Sequence, residues 1–109
     1  MTVTTIRVKE DVRFERIHPS IGSAIDKARI VWERNGIDEL WITSLSDGVH
    51  EVGSLHPLGC AVDFRKWNVP ERLRAVVVQE LRADLGSQYD VLESPLNFHA
   101  EWQPKGPPA

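Results

Sequence analysis

The stretch "CAVDFRKWNVPERLRAVVVQELRADLG", residues 60–86, carries two different periods. In "CAVDFRKW" the side chains alternate, so Ala61, Asp63 and Arg65 share one face while Cys60 and Val62 point the other way. In "VPERLRAVVVQELRADLG" the apolar residues Leu73, Val76, Val77, Leu81 and Leu85 return at helical spacing. Pro70 sits near the start of that segment and Gly86 just past its end, where each suits a helix boundary. A strand therefore runs into an amphipathic helix, and both need a common core to cover.

Working outward, "SIGSAIDKARIVWERNG" repeats the helical design, with Ile21, Ala24, Ile25, Ala28, Val31 and Trp32 on one face. Ser20 is the expected N-cap, and Asn35-Gly36 the expected stop. The other apolar segments are short and strand-like: "DELWITSL" leads into the turn signal Asp47-Gly48, and "YDVLES" and "NFHAEW" form a closing hairpin around Pro95 and Asn97. "TIRVKEDVRF" reads as an extended edge segment. The sum predicts an α+β fold, two principal helices on a small, mainly antiparallel sheet. One domain is expected over residues 1–102, with "QPKGPPA" (103–109) as a proline-rich tail.

The composition narrows the function. A chain of 109 residues with 41% apolar and 27% charged residues suits one ordinary globular core. Its net charge of −3 and the lack of a Lys/Arg cluster give no footprint for nucleic acid. No apolar run approaches the ~18 residues of a membrane span, so no membrane insertion is expected. The opening "MTVTTIRVKEDVRFER" lacks a basic start followed by an apolar run, which predicts a chain made and kept in the cytoplasm unless something releases it. A lone cysteine, Cys60, excludes an internal disulfide and any multi-cysteine zinc finger.

A metal would then have to be held by His, Asp or Glu. A catalytic zinc site takes three protein ligands and keeps one position open for water. His56, ahead of the strand, Asp63 within it and His99 in the last strand fit that set, and Gly59 lets the chain turn between the first two. Asn97, His99 and Glu101 share one face of "NFHAEW", so an acid and a histidine are expected to converge from neighbouring strands. Glu93, where the hairpin begins, is the first candidate for a base acting on a metal-bound water. Glu101 is the second. It stands roughly 6.6–6.8 Å along the strand from His99, which suits an orienting partner of that ligand better than a base.

The stretch "SLHPLGCAVD", residues 54–63, matches the pattern S-x-H-x-x-G-x-A-x-D at every specified position. It thereby resembles the zinc D-Ala-D-Ala carboxypeptidase and L-alanyl-D-glutamate peptidase group, whose fold is shared with the hedgehog signalling domain. The resemblance extends from Ser20 to Trp102. It implies one zinc ion per chain on His56, Asp63 and His99, with Glu93 as base, six residues ahead of His99 in "ESPLNFH". It further implies hydrolysis of a peptide bond, in a peptidoglycan stem peptide or another small peptide, by a compact single-domain enzyme of the kind phage or bacteria use in lysis or wall remodelling. Release to the wall would follow lysis or a holin. His50 is the nearest cationic candidate to donate to the developing oxyanion, while Ser54 supports the His56 loop. Asn97 stands where many members carry a further histidine. A non-catalytic zinc-binding or structural/interaction module on the same fold is the alternative.

Other conspicuous residues have ordinary readings. Cys60 is expected to be a small buried residue, His18 a surface or core histidine, and the tryptophans mostly packing groups.

Overall fold

The computed structural model describes residues 2–12, 18–45 and 60–103. Chain order is β1 (Thr5–Val8), α1 (Pro19–Arg34), β2 (Glu39–Leu45), β3 (Ala61–Arg65), α2 (Glu71–Leu85), β4 (Tyr89–Glu93) and β5 (Asn97–Trp102). The five strands form one sheet in the order β1-β2-β3-β5-β4. Among the described residues only β1 and β2 run parallel, joined through α1; the other pairs are antiparallel. The fold is thus α+β, with two helices and a mostly antiparallel sheet, as the periods predict. No helix among the described residues is long and apolar enough to cross a membrane.

Both helices contribute to the apolar core against one side of the sheet. All six apolar-face residues of α1 are buried. Trp32 is fully enclosed, with its ring centroid 5.7 Å from each of the Phe64 and Phe98 rings. On α2 the buried set is Val77, Val78, Leu81 and Leu85, with Leu73 packed partly against it. Val76, expected on the core face, is exposed, and Val78 takes its place. The run "AVVVQ" offers three successive valines, and the helix turns about 100° per residue. Docking against the sheet selects which two of them face inward.

Polar contacts tie the elements together where side-chain packing alone would leave them free to slide. The buried Thr4 hydroxyl donates to the Ile37 carbonyl at 2.6 Å, and the Thr4 amide donates to Glu33 Oε2 at 2.9 Å. Together these clamp the start of β1 to the end of α1. Arg82 donates through Nε and Nη2 to the Val91 carbonyl, joining α2 to β4. The Tyr89 hydroxyl donates to the Ser20 carbonyl, joining β4 to α1.

The helix ends correct one expectation. The N-cap of α1 is His18, not Ser20. Pro19 already occupies the first turn, so the chain enters the helix earlier than the serine suggests. His18 Nδ1 accepts the Ser20 amide at 3.1 Å, a task usually given to Asp, Asn or Ser. At the other end, Gly36 takes φ +73°, the left-handed conformation that closes a helix.

Two substitutions separate these contributions in chemical denaturation. Trp32→Ala should lower the unfolding free energy by about 3–5 kcal/mol by emptying the centre of the core. Gly36→Ala should cost about 1–2 kcal/mol through its backbone alone, because an added Cβ would meet only Thr2 Oγ1 at 3.9 Å. Equal losses from the two would show that the core is not centred on Trp32.

Candidate metal centre

The site is built on the face of the sheet opposite the core. In the β3–β5 pairing Asp63 stands directly across from His99, Ala61 from Glu101 and Arg65 from Asn97. Opposed residues of an antiparallel pair share a face. Phe64 opposite Phe98 and Val62 opposite Ala100 fill the core side, so Asp63 and His99 are directed away from it. The expectation that an acid and a histidine meet from neighbouring strands therefore holds for this pair.

His99 Nδ1 and Asp63 Oδ1 lie 2.6 Å apart. His99 Nε2 lies 3.4 Å from Glu101 Oε1, and Gln103 Nε2 donates to the second oxygen of Glu101. The result is a row of polar groups, Asp63–His99–Glu101–Gln103, running along the open face. The Asp63, His99 and Glu101 side chains keep 26%, 32% and 21% of their surface exposed. They are shielded enough for the contacts to matter and still open to solutes.

A register irregularity supports the row. Between Ile42 and Ser44 the β2–β3 register shifts, leaving Thr43 as the extra residue. Its hydroxyl donates to Asn97 Oδ1 at 3.1 Å and lies 3.3 Å from the Asp63 carbonyl. Asn97 thus takes a structural place beside Asp63.

The electrostatics follow from the geometry. A histidine with a carboxylate at each ring nitrogen is best satisfied when both nitrogens carry protons. The bond from His99 to Asp63, foremost, and then the charges of Asp63 and Glu101 raise its pKa above the ordinary value, against the opposing effect of burial. Cys60 is buried, and its thiol pKa is pushed up by that burial and by the charge of Glu101, which makes it a poor nucleophile.

Donor chemistry and placement suit zinc at this pair. A nitrogen and a carboxylate oxygen converge from two paired strands, on the face away from the core. Tetrahedral zinc separates its donors by about 3.3 Å, so the pair must open by roughly 0.7 Å from its present hydrogen bond. Among the described residues no group of three or more His, Cys, Asp or Glu is arranged to hold a metal ion. His56, the third expected ligand, lies outside the described residues, as do His50, Ser54 and Gly59. If Nδ1 is given to the metal, Nε2–H is left for Glu101, the orienting role that spacing suggested for that acid.

Glu93 is placed elsewhere. It stands opposite Phe98, one residue out of step with His99, so alternation directs it toward the other face. Its Oε2 accepts from Lys66 Nζ at 2.7 Å, and Lys66 also donates to the Ser94 carbonyl. Counting six residues back from His99 locates Glu93 correctly in sequence, but parity across the hairpin separates the two side chains.

Two groupings were not foreseen from the sequence. Arg65 packs its guanidinium carbon 4.4 Å from the Trp41 ring centroid and 4.8 Å from that of Trp67. Trp102, read as a packing residue, stacks on His18 with centroids 4.2 Å apart. The alternation that put Arg65 on the face of Asp63 was a signal for the first; no local pattern announced the second.

In the metal-free chain His99 should titrate above its ordinary 6.5, and Asp63→Asn should lower that midpoint, as read from ring resonances by NMR. Because the folded value is raised, this contribution to stability is fully present below pH 6.5 and is lost as pH climbs through the folded pKa. An unchanged midpoint in Asp63→Asn would exclude the pair as the cause.

No protein-family model, curated protein or solved structure matches this chain, so the reading of the site rests on its residues and their geometry.

Proposed function

We propose that the chain is a zinc-dependent peptidase of the D-Ala-D-Ala carboxypeptidase or L-alanyl-D-glutamate peptidase type, acting on a peptidoglycan stem peptide or a similar small peptide. The observation that supports it is the Asp63–His99 pair, two zinc-type donors directly opposed on the open face of the sheet. The motif "SLHPLGCAVD" supplies His56 as the third donor.

Asp63, His99 and His56 would hold the ion, and a bound zinc supplies a Lewis acid and a water of lowered pKa. Glu101 accepts from the remaining ring nitrogen of His99 and fixes the orientation of the imidazole. Glu93 is the base by sequence. For it to take a proton at Oε2, Lys66 must first release that oxygen. His50 is the proposed donor to the oxyanion. In this reading the enzyme is cytoplasmic as synthesised and meets the wall after lysis or through a holin.

One observation favours a second reading. Glu93 is held by Lys66 and directed away from His99, which suits a zinc-binding module without catalysis.

Elemental analysis of wild type beside His56→Ala and Asp63→Ala tests the metal. About one zinc per wild-type chain, lost in both variants, is expected for a three-ligand site. Glu93→Gln then separates the two readings. A peptidase keeps its zinc in this variant and loses hydrolysis of stem peptides by about 100-fold or more, the usual weight of a general base. Equal product release by Glu93→Gln and wild type would sink the assignment of Glu93, and no release by either would leave the binding module.

A further inference from the structure

The grouping around Arg65 has a chemistry that the metal site does not use. Arg65 follows Asp63 by two residues on β3, so the two share a face and stand roughly 6.6–6.8 Å apart along the strand. The guanidinium packs against the indoles of Trp41 and Trp67, and Trp67 is itself 67% exposed. Among the described residues Arg65 makes no hydrogen bond and no ion pair. Glu39, whose carboxylate feels its charge, already accepts from Arg7 Nε and Trp41 Nε1.

A guanidinium stacked on aromatic rings keeps its five N–H donors, because they lie in its plane and point from its edge. Stacking also restricts the long side chain before any ligand arrives, so less freedom is lost on binding. The matching ligand is a planar anion that takes two parallel hydrogen bonds, and a carboxylate is one. The open face is polarised accordingly, with Arg65 at one end of the β3–β5 ladder, Glu101 at the other, and Asp63 and His99 between them.

We infer that Arg65, braced by Trp41 and Trp67, binds a carboxylate of the substrate and selects peptides that carry a free carboxylate within about two residues of the bond to be cut, given an extended reach of about 3.3–3.6 Å per residue. This rests on the peptidase reading for the bond cut, but not for the binding of the anion. The carboxylate can be the C-terminal one or that of an acidic side chain, and the experiment distinguishes them.

The zinc-loaded chain is assayed on three versions of one stem-type peptide: the free acid, its C-terminal amide, and the peptide with its acidic side chain replaced by a carboxamide. In wild type, one of the two replacements should raise KM by about 10- to 100-fold with little change in kcat, the scale of a charged hydrogen-bonded contact. That replacement identifies the carboxylate. Arg65→Ala should raise KM for the free acid to the same level and remove the discrimination. Arg65→Lys, which keeps the charge but not the fork, should restore it only in part. Arg65→Gln serves if Arg65→Ala does not fold. Discrimination that persists in a folded Arg65 variant with normal zinc content, or that wild type never shows, overturns the inference.

If wild type cuts none of the peptides, the peptidase reading fails separately. The same peptides are then titrated against tryptophan emission, which Trp41 and Trp67 report. A saturable, carboxylate-dependent change that Arg65→Ala abolishes upholds the anion site, and its absence in wild type overturns it.

Discussion

The pairing of β3 with β5 governs both the core and the candidate site. Its register puts Phe64 against Phe98 and Val62 against Ala100 on the side of the helices. The same register puts Asp63 against His99 on the side away from them. Because strand side chains alternate, a slip of one residue would send the phenylalanines outward and bury the acid. Trp32, packed against both phenylalanine rings, makes that slip costly. The stability of the core thus holds the acid and the histidine in contact.

The electrostatics of the molecule divide along the same plane. On the open face the carboxylates of Asp63 and Glu101 flank His99, and Arg65 stands beyond them on its two indoles. Flanking acids that suit a histidine to a proton also suit it to a metal cation, so on the proposed zinc reading proton and metal would compete for the ring. On that reading, lower pH would therefore weaken metal binding, while protonation of His99 favours its metal-free contact with Asp63. Glu93 lies outside this arrangement, neutralised by Lys66 at the end of the hairpin.

Much of the fold was legible because short-range periodicity is a direct consequence of backbone geometry. Both helices, all four of the well-patterned strands and the entire apolar face of α1 follow from it. The misreadings arise where local pattern allows more than one answer. Three consecutive valines in α2 leave its inward face underdetermined, and the sheet, not the spacing, favours Val78 over Val76. A histidine is an unusual helix cap, so Ser20 attracted the assignment that His18 holds through Nδ1. The six-residue count from Glu93 to His99 is a different matter: it carries no account of side-chain parity across the intervening turn, where Glu93 is directed to the other face.

By itself the sequence determined which segments are helices and strands and which side chains on each strand share a face. Those properties depend on neighbours a few residues apart. It also determined the donor types available to a metal, since a single cysteine leaves histidine and carboxylate. The tertiary structure decided that β5 lies inside the sheet and β4 at its edge, that β1 runs parallel to β2, and that His99 meets Asp63 across 36 residues of chain. It alone separated Glu93 from His99 and set Arg65 between two tryptophans. Each of these depends on register and packing between distant segments, which no local period encodes.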